Sequence, residues 1–320
     1  RLQVEHPVTE AVTGVDLVEW QLRVASGEPL PLRQDQIALN GWAMEARLYA
    51  ENPAKKFLPS TGPLRRLRLP TGVRVDAGVE EGGAVSHFYD PMIAKLIAAA
   101  PTRNEAAAQL ADACRKVEVW PVKTNAAFLA RCLEESDFIA GAIDTTFIDQ
   151  RLEQLAPHPT VTDQALRRAA VAVLARDGSP WAGGLRINGS AALRVRLDVA
   201  GEPVEVALTP ADLGLSPAWV DGEDLVVFQG GEAVALKLAR AQQGAVGAAS
   251  SGDVRSPMPG RIVAVQVADG HKVKRGDTLV VMEAMKMEYV LTAPADGVVE
   301  GLTVQVGAQV EEGLVLARVV

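Results

Sequence analysis

Hydrophobic side chains recur every three or four residues in several stretches of the first half of the chain. The stretches TGVDLVEWQLRVASGE and PTRNEAAAQLADACRKVEV each place apolar residues along one side of a helix, and the first run stops at Gly27. These positions are Val15, Val18, Leu22 and Ala25 in the first stretch, and Ala106, Leu110, Ala113 and Val117 in the second. Both are therefore predicted to be amphipathic helices, as are NAAFLARCLEE and TTFIDQRLEQLA.

Short alternating or continuously apolar runs lie between the first two helices. They are GWAMEARLYAE, RVDAGV and SHFYDPMIAKLIAAA, and Gly and Pro bound them. Such runs are typical of β-strands, and we expect these three to belong to one sheet. Together with the helices they predict an α+β domain over residues 1–155, which ends before the breaker PHPTV.

The pattern changes after residue 160. One helical stretch, TDQALRRAAVAVLARD, precedes four stretches with a period of two: ALRVRLDVA, EPVEVALTP, DLVVFQGG and EAVALKLARA. Residues 161–240 are therefore predicted to form a small antiparallel sheet or barrel with one helix. Residues 241–253, AQQGAVGAASSGD, are small and have nothing with which to pack, so we interpret them as a flexible linker.

The last part of the chain, residues 254–320, contains an internal repeat with an offset of 37 residues. The repeat aligns Pro257 with Pro294, Gly260 with Gly297, Val267 with Val304, Gly270 with Gly307, Val273 with Val310, Gly276 with Gly313 and Leu279 with Leu316. This pattern predicts two β halves that cover each other's apolar faces. The segment VMEAMKMEY joins the halves, which places Lys286 at a hairpin tip, where an enzyme could modify its amine.

Composition limits the function classes. Apolar residues make up 48% and charged residues 22% of the chain, and no apolar run approaches the length of a membrane helix. The net charge of -8 argues against a nucleic-acid partner. Cys114 and Cys132 fall on apolar helical faces, where core packing is the preferred interpretation. The four histidines lack ligand spacing, so no structural zinc is expected.

The start of the chain and its composition suggest where the protein works. The first residue is Arg1, and no leader follows, so we expect a chain that is truncated at its N-terminus. Richness in Ala and Arg favours a bacterial cytoplasmic protein, with the mitochondrial matrix as the alternative for a eukaryotic one.

The segment EAMKME, preceded by SPMPG and set in a duplicated β domain, resembles the biotin carboxyl carrier domain of biotin-dependent carboxylases. The resemblance implies an all-β flattened barrel over residues 254–320, with biotin amide-linked to Lys286 by a biotin protein ligase. Lipoyl carrier domains share this barrel. Their lysine usually has an Asp-Lys-Ala-like context, so Met285 and Met287 favour biotin over the lipoyl alternative.

The stretches RLQVEHPVTEAVTGVDLVEWQL and AMEARLYAENPAKKFLPSTG resemble the C-terminal part of the biotin carboxylase domain, an ATP-grasp enzyme. In that family the residues that match Arg1, Gln3, Val4, Glu5 and Arg47 line the bicarbonate and biotin site. Glu5 would be the base that deprotonates bicarbonate, while Arg1, Gln3 and the Val4 N–H would hold the anion. Arg47 would stabilise charge on the biotin ureido oxygen. The alternative is that Glu5 and Arg47 form a buried structural ion pair.

Other residues that fit the family pattern are assigned to packing and sheet closure. These are Asp90, Lys95, Lys123 and Asn125. Residues 161–240 resemble the linker domain by which acyl-CoA carboxylase α subunits bind the carboxyltransferase β subunit.

The resemblance implies the α subunit of an acyl-CoA carboxylase, which uses bicarbonate, ATP and Mg or Mn and works with a β subunit. The short middle domain favours methylcrotonyl-CoA over propionyl-CoA or acetyl-CoA as the acyl substrate. No G-x-x-x-x-G-K loop occurs in the sequence, so this chain alone is not expected to turn over ATP. The alternative is a non-catalytic biotin carrier and docking scaffold.

Overall fold

The computed structural model describes residues 2–177, 193–239, 252–284 and 287–320. These residues form two compact units. The first unit consists of the described residues up to 239, except for the short segments 59–61 and 86–91, which are grouped with the second unit and its residues from 252 onward. None of the helices in the described ranges combines the length and the apolar character that a membrane crossing requires.

The first unit mixes helices and strands. The helices of the chain up to residue 239 are α1 (His6–Thr13), α2 (Leu17–Ala25), α3 (Arg103–Arg115), α4 (Ala126–Glu134), α5 (Ser136–Ala140), α6 (Phe147–Leu155) and α7 (Asp163–Asp177), with 3-10 turns at Gln34–Gln36, Pro53–Lys55 and Pro210–Gly214. The strands are β1 (Trp42–Tyr49), β2 (Glu51–Asn52), β3 (Leu58–Pro59), β4 (Gly62–Arg68), β5 (Arg74–Ala77), β6 (Ala84–Val85), β7 (Met92–Ala100), β8 (Glu118–Pro121), β9 (Leu193–Val199), β10 (Glu202–Leu208), β11 (Trp219–Asp221), β12 (Asp224–Gln229) and β13 (Glu232–Leu238).

The sheet that positions the candidate site has the order β1-β7-β5 and is antiparallel throughout. It joins the three stretches that the sequence predicts to share one sheet, and this prediction is confirmed. Successive side chains of a strand point to opposite faces. One face of β1 carries Met44, Ala46 and Leu48 into the buried core. The other face carries polar side chains, and the candidate site is built on it.

Helices α3 and α4 complete the core of this part of the chain. Thr102 begins α3 with a capping box, in which its hydroxyl accepts from the Glu105 N–H at 3.3 Å and the Glu105 carboxylate accepts from the Thr102 N–H at 3.2 Å. Cys114 and Cys132 are buried on α3 and α4, which confirms their predicted packing role. The four helices predicted before residue 157 are all present. Helices α1 and α5 are additional to the predicted ones.

The described residues between 161 and 239 form one α-helix and one sheet, as the sequence predicts. The antiparallel strands follow the order β10-β9-β13-β12-β11, and the short strand β11 is additional to the four predicted ones. Helix α7 buries Ala165, Ala169 and Ala172 against the sheet. Small side chains allow close approach, so this helix packs tightly although it contains few large apolar residues.

The second unit is all β. Its strands are β14 (Asp253–Arg255), β15 (Gly260–Val265), β16 (Lys272–Val273), β17 (Thr278–Ala284), β18 (Met287–Thr292), β19 (Gly297–Glu300), β20 (Gln309–Val310) and β21 (Val315–Val319). They form two four-stranded sheets of order β14-β21-β19-β16 and β18-β17-β15-β20. Of the predicted linker, only Gly252 and Asp253 are described. The rest lies outside the described residues, and the predicted domain boundaries remain predictions.

The predicted repeat appears in the backbone of the second unit. Strands β15, β16 and β17 begin 37 residues before β19, β20 and β21, respectively. The halves exchange strands, because Val273 of β16 pairs with Gly297 of β19, while Gly260 of β15 pairs with Val310 of β20. Each sheet therefore contains strands of both halves. The two halves are joined by strand pairing, in addition to the packing of their apolar faces that the sequence predicts.

Candidate active site

Glu5 and Arg47 meet on the polar face of the sheet. Glu5 directly precedes α1, and its carbonyl accepts from the Val8 N–H at 3.1 Å. Arg47 Nη2 donates to Glu5 Oε2 over 2.9 Å. The side chains are 41% exposed for Arg47 and 54% for Glu5, so this is a solvent-accessible pair and not the buried structural pair that was the alternative. A base and a guanidinium are thus adjacent and reachable by a small anion.

Lys95 is a second cation of the same face. It lies directly opposite Arg47 in the β1–β7 pairing and opposite Asp76 in the β5–β7 pairing. Its ammonium donates to the Val4 carbonyl at 3.0 Å and lies 3.3 Å from Asp76 Oδ2. The sequence assigns Lys95 to packing and sheet closure. The structure places its ammonium in the charged cluster, where it bonds to the segment that carries Glu5.

Glu45 lies beneath these cations. It is two residues from Arg47 on β1 and therefore shares its face of the sheet. Its side chain is 4% exposed, and within the described residues neither carboxylate oxygen has a hydrogen-bond partner. The nearest cationic atoms are Arg47 Nε at 3.9 Å and Lys95 Nζ at 4.0 Å. Burial raises the pKa of Glu45 above its ordinary value, although Lys95 and Arg47 act in the opposite direction.

A second ion-pair network ties α1 to the sheet. Glu10, which is buried, accepts from Arg74 Nη1 at 2.7 Å and from the Leu17 N–H at the start of α2 at 2.8 Å. Arg74 also donates to Asp76 at 3.0 Å. Burial raises the pKa of Asp76, but the hydrogen bonds from Arg74 and Lys95 outweigh it and hold the pKa below its ordinary range. Asp76 is therefore a fixed negative charge at neutral pH.

Of the remaining predicted site residues, the structure describes Gln3 and Val4 but not Arg1. Gln3 is exposed, and its carbonyl accepts from His6 Nδ1 at 2.7 Å. Val4 is 40% exposed and contacts the cluster through its carbonyl, which accepts from Lys95. Arg1 lies outside the described residues. The site therefore contains the Glu5 carboxylate beside the Arg47 guanidinium, and the Lys95 ammonium, which is held by the Val4 carbonyl, lies in the same cluster.

Lys286 also lies outside the described residues. The strands that flank it are described, and they form an antiparallel pair whose last partners are Ala284 and Met287. Two residues, 285 and 286, therefore separate the paired ends of β17 and β18. This spacing agrees with the predicted hairpin, while the attachment of biotin to Lys286 remains a prediction.

Three further residues that were assigned to packing can be compared with the structure. Asn125 bonds to β1 and its neighbour: its amide oxygen accepts from the Tyr49 N–H at 2.9 Å, and its amide nitrogen donates to the Arg47 carbonyl at 3.2 Å. Lys123 donates to the Ala233 carbonyl at 3.2 Å. Both contacts are of the structural kind that was expected. Asp90 lies in the segment 86–91.

A cavity of about 190 Å³ lies apart from the cluster, between β8 and α4 on one side and residues 156–159 and 231–233 on the other. Two of its charged side chains bond within the protein. Arg131 donates to Glu232 at 2.7 Å, and Lys123 to the Ala233 carbonyl at 3.2 Å. Among the described residues, no group of three or more His, Cys, Asp or Glu side chains could hold a metal ion.

Three protein-family models match the chain. Residues 45–150 match the biotin carboxylase C-terminal domain, and residues 252–319 match the domain of biotin-requiring enzymes. Residues 1–33 match the ATP-binding domain of the carbamoyl-phosphate synthase L chain. The chain thus contains a biotin carboxylase C-terminal domain and a biotin-requiring domain, as the sequence predicts. Its cofactor is biotin, as the sequence predicts. The candidate site joins Glu5, in the segment 1–33, to Arg47 and Lys95, in the segment 45–150.

Relatives of this family extend over nearly the whole chain. Methylcrotonoyl-CoA carboxylase subunit alpha, mitochondrial, of Dictyostelium discoideum is 36% identical over 383 residues, which cover 100% of this chain and 54% of the relative. Propionyl-CoA carboxylase alpha chain of Ruegeria pomeroyi is 35% identical, with coverage of 96% and 55%. The chain thus spans about half the length of these curated relatives. A solved structure of Rhizobium etli pyruvate carboxylase with the allosteric activator acetyl coenzyme A has a TM-score of 0.50 and 32% identity, over 54% of this chain and 18% of that one.

Two site residues were missed by reasoning from the sequence: Glu45, and Lys95 as a member of the cluster. The alternation along β1 could have placed Glu45 on the face of Arg47. The pairing of Arg47 with Lys95 could not be found in this way, because the register between β1 and β7 depends on the folded sheet.

Proposed function

We propose that the chain is the biotin-carrying part of the α subunit of an acyl-CoA carboxylase. Lys286 would carry the biotin, and the cluster that contains Glu5 and Arg47 would bind the bicarbonate from which biotin takes up its carboxyl group. The observation that carries this proposal is the solvent-accessible 2.9 Å contact between Glu5 and Arg47. Arg47 lies in the biotin carboxylase match, and Glu5 lies in the match to an ATP-binding domain. Bound biotin would supply a ureido nitrogen that takes up and releases a carboxyl group.

The residues of the cluster divide the work between them. Glu5 accepts the proton of bicarbonate, since its carboxylate is reachable from solvent and lies beside a cation that favours the approach of an anion. Arg47 then has donors available for a negatively charged oxygen. Arg1, Gln3 and the Val4 N–H hold the anion in place, and Lys95 keeps Val4 in position through its carbonyl.

ATP binding is assigned to a longer protein. The 320 residues contain no glycine-rich G-x-x-x-x-G-K loop, and the match to an ATP-binding domain covers residues 1–33 only. We therefore propose that these residues alone do not cleave ATP, and that ATP with Mg or Mn binds in the full-length subunit.

The names of the relatives support a proposal about the partner and the acyl substrate. The carboxyl group would pass to a short-chain acyl-CoA on a carboxyltransferase β subunit, with methylcrotonyl-CoA favoured and propionyl-CoA or acetyl-CoA as alternatives. The name of the Dictyostelium relative supports the first and that of the Ruegeria relative supports the second. The linker that the sequence predicts at 241–253 would let the biotin domain reach both active sites.

Bicarbonate-dependent ATP cleavage by the full-length gene product tests this function. We expect Glu5→Gln to lower kcat by about a hundredfold, because amide replaces the base. Glu19→Gln is the matched control, since Glu19 is an exposed glutamate that pairs with Arg23 on α2. Full activity of Glu5→Gln would favour the second candidate, a carrier and docking scaffold in which the cluster plays no part in the reaction.

A further inference from the structure

The buried carboxylate of Glu45 has no role in the reaction as described above. It is 4% exposed, and no described residue donates a hydrogen bond to either of its oxygens. Burying a carboxylate without a hydrogen bond costs free energy. A hydrophobic side chain at this position would avoid that cost and an amide would lower it, so the presence of a carboxylate needs an explanation.

The cations around Glu45 supply one. Arg47 and Lys95 lie directly opposite each other across β1 and β7, which brings two positive charges together. In this structure Glu5 is hydrogen-bonded to Arg47, and Asp76 pairs with Lys95. Like charges on facing strands repel, so the pair depends on the carboxylates that surround it.

The balance changes once Glu5 takes up a proton. Arg47 then loses the negative charge to which it donates at 2.9 Å. The next carboxylate near its guanidinium is that of Glu45, 3.9 Å from Nε, with both oxygens free of donors among the described residues. Glu45 is also 4.0 Å from Lys95, so it faces both cations at once.

We propose that Glu45 is a positioning residue: its carboxylate holds Arg47 and Lys95 in the site while Glu5 carries the proton. This inference rests on the proposed function. It assigns Glu45 no contact with substrate. Its effect is transmitted through Arg47, the Nε of which turns toward Glu45 and leaves the terminal nitrogens for the ligand.

The test uses the full-length protein, with bicarbonate-dependent ATP cleavage as the activity and thermal denaturation as the check on folding. Glu45→Gln keeps the shape and removes the charge. We expect its kcat to fall about tenfold or more, with a KM for ATP within about twofold of wild type and a Tm no lower than wild type. Glu45→Asp restores the charge and is expected to recover part of kcat. Glu118→Gln, which breaks the pair between Glu118 of β8 and Arg66 of β4, is the control and keeps full kcat.

Each result decides the matter. A kcat of Glu45→Gln equal to wild type overturns the positioning role alone. A fall in kcat with a matching fall in Tm, and no recovery in Glu45→Asp, shows a merely structural residue and also overturns it. A wild-type protein without bicarbonate-dependent ATP cleavage overturns the proposed function, and the role of Glu45 falls with it.

Discussion

The Glu5–Arg47 pair is half exposed, and the free energy of such a pair is small. Solvent screens the attraction, and two long side chains lose freedom, so exposed pairs contribute about 0–1 kcal/mol to folding. We therefore expect Glu5→Gln to change the Tm of the 320-residue chain by less than about 3 °C. Thermal denaturation followed by circular dichroism measures this. A much larger drop in Tm would mean that the pair serves the fold.

Replacing Glu45 is predicted to raise the Tm near neutral pH. Burial raises its pKa above the ordinary 4.5, so the folded state keeps this proton after the unfolded state has lost it. Stability then falls as pH rises through that window. Glu45→Gln cannot titrate, so its Tm is expected to match wild type below about pH 4 and to exceed it near pH 7.5.

The surroundings of Glu45 are the same in both proteins. Lys95, Arg47, Glu5 and Asp76 face it in each, so their own titrations largely cancel in the comparison. A Tm difference that is independent of pH would contradict the raised pKa, as would a Glu45→Gln variant less stable than wild type near neutral pH.

The two thiols are predicted to be inert in the folded chain. Burial raises the pKa of Cys114 and that of Cys132 to about 12. Only about one thiol in ten thousand is then ionised at pH 8, and the thiolate is the reactive form. Ellman's reagent should titrate no thiols in the native protein and two after unfolding in guanidinium. Rapid reaction of either thiol in native buffer would contradict their buried placement.

At the scale of elements, strong periodicity made most of the fold predictable. The four amphipathic helices before residue 157 and the sheet β1-β7-β5 were found from apolar spacing, because these elements are long and bury one clear face. Helix α1 was not found. It has eight residues, and a helix this short depends on tertiary contacts such as the pair between Glu10 and Arg74 more than on its own sequence.

Two equivalent glycines of the repeat give a prediction about the second unit. A Cβ at Gly260 would meet the Glu283 carbonyl oxygen at 2.7 Å, and one at Gly297 would meet the Val320 carbonyl oxygen at 2.6 Å. Backbone cannot move aside cheaply, so Gly260→Ala and Gly297→Ala should each destabilise this unit by about 1–3 kcal/mol. Hydrogen exchange of peptides from residues 252–320 would show the loss.

The control for these variants is Gly214→Ala, since Gly214 has nothing within 4 Å of an added Cβ. We expect it to leave exchange in the second unit unchanged. Because the contacts repeat at the same offset, the two test variants should also lower the free energy of unfolding by similar amounts. Strong destabilisation by only one of them would contradict the equivalence of the halves.

At the scale of the whole molecule, the repeat was visible in the sequence, but the exchange of strands between its halves was not. Glycines at equal spacing indicate where turns recur, whereas the partner of each short strand is decided by packing, as in the pairing of Val273 with Gly297. The contacts within the charged cluster could not be predicted from the sequence either. Its members come from four separate segments, and only the folded sheet brings Glu5, Arg47, Asp76 and Lys95 together.

The central claim is that this chain carries biotin on Lys286, and intact-protein mass spectrometry after coexpression with a biotin protein ligase tests it most directly. The account predicts the addition of one biotin to the wild-type chain and none to Lys286→Ala, while Lys274→Ala, which removes another lysine of the same domain, is still labelled once. An unlabelled wild-type chain, a lipoyl adduct in place of biotin, or a labelled Lys286→Ala variant would contradict it.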